Sequence, residues 1–288
     1  MPYPFGHYRL LITDYDGTLR PHHGLVSPEN CQVLRDMGKA GLIRAVATGR
    51  SLVSFLKDWR PEIELDYLIY SSGMALCRWT RRGPGEHIYT RAFPPEEQKK
   101  ALETVLALKK GFLAFLAPPD SHCFYYQDAP DGLRSPGFQA RLIQFQSVAR
   151  PWQPVRGLDL EPLSQFLIMV RTHDLFELKE KFQSLNPQLS VTHSTSPYED
   201  DCVWLEVFPA GVSKSTGSQA LVDLLGLGSE NTVALGNDFN DKTLLDWAGL
   251  SYIVPEAPPE LLAKFLTLKG PGPILQKVFN ALKSAGGN

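Results

Sequence analysis

The stretch Leu10-Leu11-Ile12-Thr13-Asp14-Tyr15-Asp16-Gly17-Thr18-Leu19 sets a short apolar run directly against two carboxylates and a glycine. The apolar run reads as a buried strand, and polar groups at the carboxyl end of such a strand are what an open α/β sheet turns toward a ligand. Downstream, Ser27-Pro28 offers an N-cap followed by proline at the first helical position, with Val33, Leu34 and Met37 at helical spacing as far as Gly38. Ala45-Val46-Ala47 is the next strand, Ser51 to Trp59 a second helix, and Tyr67 to Tyr70 a third strand. This β-α-β-α-β order predicts a parallel sheet covered by helices.

The same alternation returns late in the chain. A helix at Ser215 to Leu225, a strand at Thr232 to Leu235, a helix at Lys242 to Trp247 and a strand at Tyr252 to Val254 follow one another. Ile274, Leu275, Val278, Phe279 and Leu282 then form the apolar face of a closing helix. Between the halves, helical runs (Glu96 to Lys110, Leu175 to Leu185) mix with strand-like ones (Phe112 to Leu116, Cys123 to Tyr126, Gln165 to Val170, Val203 to Val207). The expected organisation is therefore α/β, with residues 1–77 and 206–288 building one parallel-sheet domain and 78–205 inserted as an α+β domain. The insert carries equal numbers of basic and acidic residues, so it does not collect phosphate by charge.

Composition narrows the function. The 288 residues are 43% hydrophobic, and 29 basic against 31 acidic side chains give a net charge of −2, which excludes the basic field of a nucleic-acid binder. No apolar run reaches the roughly 18 residues of a membrane span, and the amino terminus lacks a signal-peptide pattern. Cys31, Cys77, Cys123 and Cys202 stand far apart without a CxxC pair, as reduced thiols in a cytoplasm would.

Polar residues fall at the ends of four expected strands: Asp14 and Asp16; Thr48-Gly49-Arg50; Ser71-Ser72-Gly73; and Gly236-Asn237-Asp238-Phe239-Asn240-Asp241. In a parallel sheet these gather at one edge, where clustered carboxylates and amides need a cation, and oxygen ligands select a hard ion such as Mg²⁺. Asp14 and Asp16, two apart on extended backbone, face the same side; one can attack while the other handles a proton. Thr48 offers a hydroxyl and a main-chain N–H to an anionic oxygen, and Lys214 opens a helix whose dipole favours an anion.

DYDGTL (Asp14 to Leu19), TGR (Thr48 to Arg50), Lys214 in GVSKSTG and GNDFND (Gly236 to Asp241) resemble the four ordered motifs of the haloacid dehalogenase superfamily of phosphatases. The insertion, with LEVFPAGVSK (Leu205 to Lys214) at its return, resembles the Cof-type branch with a C2 cap. The resemblance implies a Rossmann-like core, a mobile cap, Mg²⁺, and phosphoryl transfer from a small phosphorylated metabolite, a sugar phosphate by analogy, through an aspartyl phosphate. Asp14 would be the nucleophile and Asp16 the general acid and then base, with Thr48 and Lys214 completing the catalytic set. Gly49, Thr18 and Arg50 would bind substrate; Asp14, Asp16, Asn237 and Asp241 would hold the metal. Asn237 departs from the pattern, since the family usually has aspartate there, and the reading places it on the ion with Asp241 behind it and Asp238 turned aside. A phosphomutase and a catalytically silent metabolite-binding protein are the rival functions. No nucleic acid or membrane partner is expected, and the protein would be a monomer or weak homodimer. His22, His23, His122, Tyr125, Tyr126, Arg78, Arg81 and Arg82 are secondary candidates for substrate contact.

Overall fold

The computed structural model describes residues 5–22, 24–130, 134–153, 161–196 and 198–286. Its strands are β1 (Leu10–Thr13), β2 (Ile43–Ala47), β3 (Tyr67–Tyr70), β4 (Ala75–Thr80), β5 (Gly83–Thr90), β6 (Phe112–Leu116), β7 (Phe124–Gln127), β8 (Ala149–Pro151), β9 (Leu163–Arg171), β10 (Ser190–Thr195), β11 (Cys202–Phe208), β12 (Thr232–Gly236) and β13 (Leu250–Ile253). The helices are α1 (Pro28–Lys39), α2 (Leu52–Asp58), α3 (Pro95–Ala107), α4 (Pro136–Gln144), α5 (Leu175–Leu185), α6 (Lys214–Leu225), α7 (Lys242–Trp247), α8 (Pro259–Leu262) and α9 (Ile274–Gly286).

One sheet runs β13-β12-β1-β2-β3-β4-β5, and its β13 to β3 portion is parallel throughout. The chain moves outward from β1 through β2 and β3, then returns to the other side of β1 as β12 and β13. The order therefore reverses at β1, and the crevice at the carboxyl ends of β1, β2 and β12 is where such sheets bind ligands. All four residues of β1 are buried, as expected for a strand covered on both faces. Leu10 and Ile12 pack with Leu221, Val222, Leu244 and Leu245 from α6 and α7. Helix α1 begins as its sequence directs: the Ser27 hydroxyl accepts from the Asn30 N–H at 3.1 Å and Pro28 opens the first turn.

The second sheet, β10-β11-β9-β6-β7-β8, is antiparallel except for the β7–β8 pair. Strand alternation divides its core. Phe112, Ala114, Phe166, Ile168, Leu205 and Val207 meet Leu102 and Val105 of α3 and Leu178 and Phe182 of α5, whereas Leu113, Phe115 and Leu167 meet Phe138 of α4 and Phe145.

The contacts divide the chain into one unit of residues 1–50, 54–89 and 213–288 and another of 51–53 and 90–212. The expected boundary at 78 falls inside β4, which pairs antiparallel with β3 from Tyr67↔Arg78 to Tyr70↔Ala75 and so belongs to the larger sheet. The expected return at 205 likewise falls inside β11. Helix α4 and strand β10 lie outside the elements the sequence predicts, because their burial is too partial to print a clear period. No helix among the described residues is long and apolar enough to cross a membrane.

Candidate active site

Lys214 reaches the sheet because Gly73 lets it. Gly73 takes φ +97°, and a Cβ there would stand 2.0 Å from the Ser213 carbonyl oxygen, so only glycine allows the amino end of α6 to sit against the loop after β3. Ser213 caps α6 reciprocally with Thr216. Ser71 and Ser72 hold φ of 49° and 55°, a strain of roughly 1–3 kcal/mol each, fastened by bonds from Ser71 N–H to the Arg50 carbonyl and from Ser72 N–H to the Thr48 carbonyl.

At the end of β1, Asp14 is buried and its Oδ1 accepts from Lys214 Nζ at 2.5 Å. The same ammonium donates to Asp241 Oδ1 at 2.5 Å. Asp241, fully buried, takes the Asn237 and Asp238 N–H groups on its Oδ2 at 2.8 and 3.2 Å. Both Asp241 oxygens are thus engaged, and the carboxylate fixes Lys214 and the turn that carries Asn237. Two carboxylates share one ammonium, which leaves a net negative charge in a dry site. Burial, reinforced by the Asp241 charge, pushes the Asp14 carboxyl from 3.8 up to about 7, against the opposing pull of Lys214. Burial alone would lower Lys214; the Asp14 and Asp241 charges outweigh it and hold the ammonium above its ordinary value.

Asp14 Oδ2 is buried without a hydrogen-bond partner. An orphaned carboxylate oxygen beside an uncompensated negative charge, with Asn237 Oδ1 accepting from the Thr18 hydroxyl at 3.2 Å, fits a hard cation that takes oxygen ligands. Gly17, at φ +78°, lets these side chains approach: a Cβ there would stand 2.4 Å from Asn237 Nδ2 and 2.6 Å from the His22 ring. Asp238 Oδ1 accepts from the Phe239 N–H at 2.7 Å and so caps its own turn. Among the described residues no three His, Cys, Asp or Glu side chains gather into a ready-made metal cage.

The remaining candidate residues lie at the ends of β1 and β2. The Thr48 main-chain N–H is spent on the Ile69 carbonyl at 2.9 Å, because Thr48 continues the sheet ladder; its hydroxyl, accepting from the Arg50 N–H at 3.1 Å, is what remains to donate. Gly49 is exposed beside it. Arg50 grips Asp16: its Nε and Nη2 donate to Asp16 Oδ2 and Oδ1 at 2.6 and 2.8 Å. Arg20 Nη1 adds a bond to Asp16 Oδ1 at 2.8 Å, so both oxygens of the Asp16 carboxylate accept from guanidinium groups. Asp58, at the end of α2, accepts from Arg50 Nη1 at 2.7 Å and lies 3.5 Å from Arg20 Nη2. The sequence reading missed Arg20 and Asp58; the four-residue spacing of Asp16 and Arg20 was the one local signal available.

Among the secondary candidates, Arg81 pairs with Glu64, and Arg78 lies over the Tyr67 ring beside Glu86. Tyr125 donates to Glu161 at 2.7 Å, while His122 keeps a buried Nδ1 without a partner. His23 lies outside the described residues.

Comparison with known proteins follows the same lines. Residues 11–267 match the family model of haloacid dehalogenase-like hydrolases. An HMP-PP phosphatase of Yersinia pseudotuberculosis is 27% identical over 258 residues, covering 88% of this chain and 86% of the relative. One from Cronobacter sakazakii is 28% identical over 260 residues, covering 89% and 87%. Among solved structures, a phosphatase of the superfamily from Bacteroides thetaiotaomicron superposes with a TM-score of 0.74 at 20% identity, covering 97% of this chain and 96% of its own. A subclass IIB sugar phosphatase does so at 0.70 and 19%, covering 96% and 99%. With the motif residues at the switch point of a parallel sheet and the family model spanning both halves of it, the chain belongs to the haloacid dehalogenase-like hydrolases.

Proposed function

We propose that the protein is a Mg²⁺-dependent phosphatase that hydrolyses a small phosphomonoester, a sugar phosphate in the first instance, through an aspartyl phosphate on Asp14. The observation that carries this reading is the unequal treatment of the two Asp14 oxygens: Oδ1 is pinned to Lys214, and Oδ2 is buried with no partner. A carboxylate held at one oxygen and bare at the other is oriented for attack.

Asp14 bonds to phosphorus as the ester P–O bond breaks, and Asp16 gives its proton to the departing alkoxide. Water then attacks the aspartyl phosphate, Asp16 takes a proton back, and inorganic phosphate leaves with Asp14 restored. Lys214, the Thr48 hydroxyl and the exposed Gly49 N–H are the donors for the phosphoryl oxygens. Mg²⁺ would be held by Asp14, the Asn237 amide oxygen and the Asp16 main-chain carbonyl, with Thr18 and Asp241 orienting Asn237; when bound it supplies the positive charge that the buried Asp14–Lys214–Asp241 group lacks. Residues 90–212 are assigned the role of a cap that carries specificity. Four free cysteines support a reducing, cytoplasmic setting.

The test is phosphate release from a panel spanning sugar phosphates and HMP-PP, the compound in the relatives' name, with and without Mg²⁺ and beside Asp14→Asn. Release that needs both Mg²⁺ and Asp14 supports the reading. Isomerised sugar phosphate without free phosphate would make the protein a mutase. No turnover by metal-loaded protein on any phosphomonoester would overturn the reading in favour of a binding protein.

A further inference from the structure

Asp16, Arg50, Asp58 and Arg20 form a closed set of two carboxylates and two guanidiniums beside the nucleophile. Arg50 is the fixed member. Beyond its two bonds to Asp16, it donates from Nη1 to Asp58 Oδ2 at 2.7 Å and to the Ser54 carbonyl at 3.2 Å, and its guanidinium lies 5.2 Å from the centre of the buried Tyr15 ring. Asp16 is the member nearest solvent: its side chain is the most exposed of the four, at 38%, against 13% for Arg20, 19% for Arg50 and 27% for Asp58. As it stands, both Asp16 oxygens face guanidinium N–H groups. To deliver a proton to a leaving oxygen, Asp16 must let these donors go, and the two adjacent cations would then lose one of their two counter-charges.

We propose that Asp58 is the positioning residue that makes this release affordable: it already bonds Arg50 and pairs with Arg20, so it keeps both guanidiniums in place while Asp16 leaves them for the substrate and returns. The inference rests on the reading of Asp16 as the acid of the proposed phosphatase. With Asp58 ionised, the set left behind by a departed Asp16 holds two cations and one anion; with an amide there, it holds two cations and none. Asp58→Asn therefore tightens the grip on Asp16 without touching the nucleophile, the metal residues or the phosphate donors. Asp58→Glu keeps the counter-charge.

Two measurements test this. In wild-type protein and the Asp58 variants with Mg²⁺, kcat/KM is compared for an alkyl phosphate, whose leaving group needs a proton, and for p-nitrophenyl phosphate, whose leaving group does not. Because kcat/KM extends only as far as phosphoryl transfer and excludes the later step in which Asp16 serves both esters as base, Asp58→Asn is expected to lower kcat/KM by about 10-fold or more for the alkyl ester and by less than about 2-fold for the aryl ester, and Asp58→Glu to restore the alkyl value. An equal fall for both esters, or a fall that Asp58→Glu does not repair, overturns the proposal. The second measurement needs no activity: melting temperatures of Asp16→Asn, Asp58→Asn and the double variant. If Asp58 alone can hold the guanidiniums, Asp16→Asn costs little and the double variant loses more than the two single losses together; additive losses overturn the proposal. Absence of turnover in the wild type would refute the proposed phosphatase, while the melting cycle would still decide whether Asp58 backs Asp16.

Discussion

Asn in place of Asp14 is expected to make the metal-free protein more stable at pH 8 than the wild type, and the gain can be worked from the structure. Burial first, then the Asp241 charge, raise the Asp14 carboxyl from 3.8 to about 7, with Asp16 adding a little and Lys214 opposing. A carboxyl raised in the folded state keeps a proton that the unfolded chain has already released. Stability from this group is therefore fully present below about pH 4, falls as pH rises, and is gone above about pH 7. The slope is at most about 1.4 kcal/mol per pH unit, so the whole window is worth on the order of 4 kcal/mol. At about 2–4 °C per kcal/mol for a protein of this size, that is roughly 10 °C. The assay is thermal unfolding in chelator from pH 5 to 8, read as wild type minus Asp14→Asn so that groups titrating in both cancel. The difference should become steadily more negative from pH 5 to about pH 7 and level off above that, and Mg²⁺ should flatten it by supplying the missing charge. A difference constant to within a degree across this range would refute the electrostatic account of the site.

Other perturbations have outcomes fixed by the same contacts. Lys214→Met leaves Asp14 and Asp241 buried without their ammonium; it should destabilise the metal-free protein by about 3–5 kcal/mol in denaturant titration, and adding Asp14→Asn should recover part of this. The same Lys214 variant should lose about 10²-fold or more in turnover. Asn237→Asp should tighten Mg²⁺ in calorimetry, whereas Asp238→Asn, which touches a carboxylate capping the Phe239 N–H, should leave metal affinity unchanged and cost about 1 kcal/mol of stability. Gly73→Ala puts a Cβ 2.0 Å from a main-chain oxygen at φ +97°; a loss of more than about 2 kcal/mol, read from the melting temperature, is expected.

Local patterns carried much of the fold. Runs such as Leu10 to Ile12 and Tyr67 to Tyr70 could be read because burial on both faces demands unbroken apolar residues, and Ser27-Pro28 because a cap and a fixed φ act within one turn. The gathering of Asp14, Thr48, Lys214 and Asn237 at one sheet edge was also legible, since parallel strands joined by helices leave their carboxyl ends on one side. What only the tertiary structure decided is which atoms face each other. Strand β4 joined the larger sheet through pairing with β3; the alternation of Arg78, Trp79 and Thr80 is that of a strand but does not say which sheet it joins. Asp16 bonds Arg50 across 34 positions, Asp14 bonds Lys214 across 200, and Asn237 meets Thr18 across 219. Composition cannot tell whether a carboxylate at a strand end is bare, paired or saturated. That depends on side-chain directions and distances of a few ångströms, and electrostatic energy changes steeply over that range in a dry site. Asp14 Oδ2 stays open and Asp241 does not for this reason, although both are aspartates in motifs of equal clarity.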